Sequence, residues 1–141
     1  MALDVGDVRI GIALSDPLAI IAQPHSVIPA KSPRANAEAI KNLIDETETI
    51  CLVVGIPLNQ EGKPGPQAEK VLAFVEVLKQ TLPIEIVLQD ERFSTAAAQR
   101  ELIAAGVRRK ARKQLIDMAA AQRILETFLD RRARERKPQH S

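Results

Sequence analysis

The chain has 141 residues, 45% of them hydrophobic, with nine prolines, a single cysteine and a formal charge of +2. That length supplies one compact domain with a sizeable core and leaves no room for a second lobe, so two-lobed architectures are excluded. No apolar run approaches the roughly 18 residues of a membrane span, the first residues carry Asp4 and Asp7 instead of a basic and then apolar leader, and lone Cys51 lies in the apolar run ICLVVG without a disulfide partner. A soluble protein of the reducing cytoplasm, with no membrane partner, is expected.

In chain order, Met1 to Val5 and Arg9 to Ser15 are short apolar runs separated by Gly6, Asp7 and Val8, which predicts a hairpin. Ile20 to Ile28 offers a third strand, interrupted at Pro24. Ser32 and Pro33 open a helix to about Glu48, with Ala37, Ile40, Leu43 and Ile44 on one face, and Ile50 to Gly55 is a continuous apolar run suited to a strand covered on both faces. A turn-rich loop follows from Pro57 to Pro66. Gln67 to Gln80 restores the helical period through Val71, Phe74, Val75 and Leu78, and Ile84 to Leu88 is a further strand ending at Asp90. Thr95 to Ala105 predicts a third helix, capped by Ser94 or Thr95 and stopped at Gly106, and a last helix runs from about Gln114 into a basic tail. The order is βββαβαβαα, an α/β arrangement without repeats or linkers, occupying residues 1–137 as one domain with a short 138–141 tail.

Three acids stand where such a domain usually has apolar or neutral residues: Asp4, Asp90 and Asp117. Asp4 and Asp90 end strand-like runs, and open α/β sheets present ligands at the carboxyl ends of their strands. Asp117 starts a helical stripe continued by Ala121, Ile124 and Phe128, so it belongs to a face that packs on the sheet. A lone carboxylate in such places costs several kcal/mol, about what pairing or metal ligation recovers. Taken singly, Asp4 can cap a turn, Asp90 or Glu91 can pair with Arg92, and Asp117 can complement a helix dipole. Together they predict a shared site for two Mg²⁺ or Mn²⁺ ions, about 3.5 to 4 Å apart, suited to in-line attack on a phosphodiester. Asp7 and Asp16 read as turn residues, His25 and His140 as ordinary loop or tail histidines, and Glu61 as an outlying candidate in a loop.

Charge is unevenly spread. Residues 1–99 hold eight Lys/Arg against thirteen Asp/Glu, whereas residues 100–141 hold twelve against five. Arg108, Arg109, Lys110, Arg112 and Lys113 form a basic loop leading into the Asp117 helix and are expected to track a phosphate backbone. The terminal cluster from Arg131 to Lys137 suits a phosphate track and a frayed helix end equally. Gly55, Asn59, Gly62 and Gly65 fit a substrate-binding loop feeding a helix N-terminus, or a plain flexible connection. Arg9 and Arg92, beside the acids, suit phosphate contact or charge neutralisation.

The segments LDVGDVRIGIALSD, VVGIPLNQEG, DERFSTAAAQ and RKQLIDMAAAQRILETFL, in this order and spanning nearly the whole chain, resemble the successive signatures of the YqgF family, also called RuvX, of RNase H-like nucleases. The resemblance implies a ribonuclease H-like fold with a central mixed five-stranded sheet and helices on both faces. It also implies a cytoplasmic, metal-dependent nuclease acting at the 5′ end of the 16S ribosomal RNA precursor or, alternatively, resolving Holliday junctions. The family's acidic positions fall on Asp4, Asp90 and Asp117, with Glu91 adjacent. DERFST replaces the usual DERLT[TS], keeping an apolar anchor and a hydroxyl. The chain starts three residues before Asp4, so a short first strand is expected. Unlike RuvC resolvases, it has Gly55-Ile56-Pro57 and no acid at the end of the Ile50–Gly55 strand, so another acid is expected from the neighbouring strand, either Asp90 or Glu91.

The leading expectation is therefore a phosphodiesterase on structured RNA, or on branched DNA, acting as a monomer or weak homodimer. An actin-like ATPase fails on length and on Val8, which stands where a phosphate-binding hydroxyl is needed. A non-catalytic nucleic-acid adaptor using the basic third is the remaining class. With three Phe and no Tyr or Trp, recognition is expected to rest on backbone charge and shape.

Overall fold

The computed structural model describes the backbone of residues 1–90 and 109–136, and the side chains of 1–90 and 118–135. Its elements are β1 (Ala2–Val5), β2 (Arg9–Ser15), β3 (Ala22–Pro29), α1 (Pro33–Thr47), β4 (Cys51–Ile56), α2 (Pro66–Thr81), β5 (Glu85–Asp90) and α3 (Arg109–Arg136). The five strands form one mixed sheet in the order β3-β2-β1-β4-β5. The first three are antiparallel neighbours, and β4 and β5 add in parallel. The expected helix over Thr95 to Ala105, with its Ser94 or Thr95 cap and Gly106 stop, lies outside the described residues.

Local chemistry accounts for the boundaries. The β1–β2 hairpin closes through a hydrogen bond from Gly6 N–H to Arg9 O at 2.9 Å. A Cβ at Gly6 would lie 2.7 Å from that same carbonyl oxygen, so no larger residue fits without moving backbone. In β3 the pairing shifts: Ser26 faces Ile12 while Pro24 faces Ala13, leaving His25 as an extra residue in an edge strand. Proline cannot donate to the ladder, and a bulge on an edge accommodates it. His25 thus lies in a strand and not in a loop, exposed and bonded to Ser26 Oγ at 2.8 Å. Ser32 caps α1 by accepting from Ala35 N–H, with Pro33 in the first turn, and Glu48 ends the helix in the left-handed region at φ 54°. Asp16 is a turn residue as expected: its Oδ1 accepts from Ile20 and Ile21 N–H at 2.7 and 2.8 Å, and these bonds hold its carboxyl below the usual range.

Two apolar layers sandwich the sheet. On one face Leu3, Ile12, Leu52 and Val54 pack against Ile40 and Ile44 of α1 and Val71, Val75 and Leu78 of α2. On the other, Ala2, Ala13, Ala22 and Val53 meet Ala121, Ile124, Leu125, Phe128 and Leu129 of α3. The strand residues on the second face are small, which lets a long helix lie close to the sheet. That helix is already formed at Arg109, ahead of Gln114. Arg, Lys, Ala and Gln all favour a helix, so the part of the basic run from Arg109 to Lys113, which reads as a loop, is helical instead.

Candidate active site at the carboxyl end of the sheet

β1 occupies the centre of the sheet, and Asp4 lies one residue from its carboxyl end, half-buried. β5 ends at Asp90, exposed, and β4 separates the two strands. Their backbones are therefore about 9 to 10 Å apart. Ala2 pairs with Val53 and Leu3 with Val54, so the continuing register sets Asp4 at the level of Gly55, which pairs with Gln89. Alternation then decides the faces. Ala2, Val53 and Val87 belong to the α3 side, and Asp4, Gly55 and Gln89, each two residues further on, share it. Asp90, opposite Ile56, has the parity of the α1–α2 side.

Gln89 is the residue that reading the sequence missed. Only 8% exposed, its Oε1 is fully buried and has no hydrogen-bond partner among the described residues. An orphaned buried amide oxygen costs about 1 to 3 kcal/mol until a donor or a cation meets it. The available signal was an amide placed as the last interior residue of the apolar run IVLQ.

Asp117 belongs to α3. Phe128, Leu129 and Arg132 lie around Met1 and Cys51, at the amino ends of β1 and β4, so the helix runs antiparallel to β1 and its early turns approach the carboxyl end. Ala121 and Ala2 belong to the same buried layer. Position 117 is one helical turn back, about 6 Å along the axis, and Asp4 is two strand residues on, about 6.6 Å in the same sense. The expected stripe is thus observed at Ala121, Ile124 and Phe128, and helix pitch carries position 117 to the level of Asp4. The Asp117 side chain lies outside the described residues, as do Glu91, Arg92, Arg108 and the side chains of Arg109, Lys110, Arg112 and Lys113. Among the described residues no group of three or more His, Cys, Asp or Glu could hold a metal ion.

Arg9 starts β2 beside the hairpin, half-buried, opposite Pro29. Asn59 organises its own loop: Oδ1 accepts from Glu61 N–H at 3.0 Å and Lys63 N–H at 2.9 Å, and Gly62 turns at φ 80°. The loop delivers Gly65 to the N-terminus of α2 without a side-chain cap, and Gln67 Nε2 donates to Val5 O at 3.4 Å, so this terminus adjoins the end of β1. Asp7, in the hairpin turn, pairs with Lys70 of α2 at 3.4 Å. At the opposite pole a cavity of about 470 Å³ is lined by Met1, Cys51, Phe128 and Arg132, far from the acids. Burial, with Glu85 beside it, pushes the Cys51 thiol up to about 11, which keeps it protonated at neutral pH.

The fold is that of the RNase H-like resolvases. It resembles the Fowlpox virus resolvase, solved with its substrate Holliday junction DNA, over 92% of this chain and 95% of that one, at a TM-score of 0.54 and 8% identity. It also resembles T. thermophilus RuvC, solved with a Holliday junction substrate, over 93% and 92% of the two chains, at a TM-score of 0.50 and 14% identity. The chain belongs to the RuvX family, described as Holliday junction resolvase, whose model matches residues 1–131, and it is thereby a member of a nuclease family. Relatives include a protein of Halothermothrix orenii, 46% identical over 92% of this chain and 93% of its own length, and one of Thermoanaerobacter pseudethanolicus, 47% identical over 92% and 94%. Both carry the name "Putative pre-16S rRNA nuclease".

Proposed function

We propose that this protein is a divalent-metal-dependent endonuclease of the cytoplasm that trims the 5′ end of the 16S ribosomal RNA precursor. Its domain spans residues 1–137, its catalytic acids are Asp4, Asp117 and one of the Asp90–Glu91 pair, and it works as a monomer or weak homodimer. The observation that carries the reading is Asp4: a carboxylate at the carboxyl end of the central strand, on the face that α3 covers and at the level that position 117 reaches. The two-residue period gives Asp90 the parity opposite to that of Asp4. Relatives at 46 and 47% identity support the RNA substrate by their name.

The residues fit a hard cation. Asp4 offers carboxylate oxygens, the donor type that Mg²⁺ and Mn²⁺ take, and a buried neutral oxygen without a partner among the described residues, Gln89 Oε1, lies on the same face. Such ions activate water and neutralise charge on a phosphodiester in flight. The chain's own part is to bind and orient: the basic segment of α3 from Arg109 to Lys113, with Arg108 before it in the sequence, holds the backbone of the substrate, Arg9 beside the hairpin and Arg92, two residues beyond Asp90 in the sequence, contact phosphate, and the uncapped N-terminus of α2 with the Asn59 loop receives a phosphate.

A second reading, cleavage of four-way DNA junctions, is favoured by the family's description and uses the same acids. Side-by-side assays on 16S precursor and on a four-way junction, with Mg²⁺ or Mn²⁺, decide between them. We expect precursor cleavage by the wild type and a loss of about 10²- to 10³-fold or more in Asp4→Asn. Junction cleavage alone would move the assignment to DNA, and metal-independent binding without cleavage of either would make the protein an adaptor.

A further inference from the structure

The feature that the proposed site does not explain is Gln89. Its side chain is more than nine-tenths buried, yet Oε1 meets no donor among the described residues. The neighbour between it and Asp4 is Gly55, which has no side chain to fill the space above β4 or to bond the amide. Lone buried amides are ordinarily replaced by apolar residues or paired, because the unmade bond weakens the fold. Here the orphan is an acceptor, it shares face and level with Asp4, and it projects from a strand two positions away in the sheet, where a donor or a cation set between the strands would meet both groups.

We propose that Gln89 is a metal-site residue: its Oε1 is a neutral oxygen ligand of the divalent ion held by Asp4, reached across the gap that Gly55 leaves. The inference rests on the metal-site reading above and deepens it. The strand β4 has no acid at its carboxyl end and Asp90 has the opposite parity, so Asp4 is the carboxylate that the described strands β1, β4 and β5 offer on this face; a neutral amide from β5 adds a ligand beside it without adding negative charge. Fewer charges give weaker binding that exchanges readily, and amide oxygens are ordinary ligands of hard cations. Within the protein alone the amide costs stability, and a cation shared with Asp4 is the partner that gives its oxygen a use.

The test is Mn²⁺ binding to the full chain, followed by calorimetry and by the electron spin resonance signal of free Mn²⁺, in wild type, Gln89→Leu, Gln89→Glu and Asp4→Asn. Gln89→Leu should weaken Mn²⁺ binding about 10-fold, as loss of one supporting ligand typically does, while melting at or above the wild-type temperature without metal. Gln89→Glu should bind Mn²⁺ at least as tightly as wild type and melt lower without metal, because it brings a second carboxylate to the face of Asp4. Unchanged Mn²⁺ affinity in Gln89→Leu, with binding lost in Asp4→Asn, would overturn the role of Gln89 and leave the site standing. Equal binding by Asp4→Asn and wild type, or none by either, would overturn the metal site itself and the inference with it.

Discussion

Arg132 donates to Glu85 across 2.8 Å, joining the late turns of α3 to the first residue of β5 at the pole opposite the acids. The guanidinium also sits 4.9 Å from the centre of the Phe128 ring, and Glu85 accepts from Cys51 Sγ at 3.3 Å. Both members of the pair are partly exposed, so the pair is worth less than about 1 kcal/mol after solvent screening. Arg132→Ala should therefore lower stability in a urea titration by no more than about 1 kcal/mol, the stacking included, and leave cleavage and Mn²⁺ binding as they are. A fall in cleavage would mean that the far end of α3 steers the site.

Cys51 gives a pH signature. The folded thiol keeps its proton to about 11, against an ordinary value of 9.0, because burial disfavours the thiolate and Glu85 adds to it. The unfolded chain ionises first, so this contribution is complete below pH 9 and is lost as pH rises from 9 to about 11. Stability of wild type should fall more steeply in that window than stability of Cys51→Val. Parallel slopes for the two would show that the thiol meets the same environment folded and unfolded. Alkylation by iodoacetamide at about pH 7.5 should be correspondingly slow.

Gly6 bears on function through two neighbours. A methyl group there would press on Arg9 O at 2.7 Å, where backbone and not a flexible side chain must yield. Gly6→Ala should cost about 1 to 3 kcal/mol by thermal or chemical melting. Cleavage should drop beyond what the stability loss explains, since Asp4 and Arg9 flank the distorted turn. Full activity of a folded Gly6→Ala protein would disconnect the hairpin from the site.

The close approach of α3 rests on Ala2, Ala13 and Ala121, all fully buried. Ala121→Leu should destabilise by about 1 to 3 kcal/mol through overpacking, and it should also weaken Mn²⁺ binding, because lifting the helix lifts position 117. Ala121→Ser, nearly equal in volume, serves as control for polarity. Loss of stability with undiminished Mn²⁺ affinity would argue that Asp117 does not reach the ion.

Replacing Arg108, Arg109, Lys110, Arg112 and Lys113 by Gln should weaken binding to RNA and DNA alike, since interactions with the sugar-phosphate backbone carry no base information. Gln is the right substitute because most of this run is helical. Each phosphate left without its cation should lower the salt slope of log K by about 0.7 to 0.9. Turnover at saturating substrate should survive. An unaltered affinity and slope would place the path of the substrate elsewhere.

Much of this architecture follows from local pattern. The hairpin at Gly6, the Ser32 cap, the continuous apolar run of β4 and the stripe of Ala121, Ile124 and Phe128 are short-range features, and the two periods of strand and helix expose them without any knowledge of neighbours. So does the presence of acids at strand ends. The start of α3 was readable in principle too: the propensities of RRKARKQ favour helix, but a dense run of like charge looks like a solvated loop when no packing partner is in view. What local pattern does not contain is register. Whether Gln89 or Asp90 shares a face with Asp4 depends on how β4 slides against β1 and β5, pairings between residues tens of positions apart, and a slip of one residue would exchange their roles. Types and spacing of the acids belong to the chain alone; which side chain of β5 shares a face with Asp4 across Gly55 was decided only when three strands locked side by side.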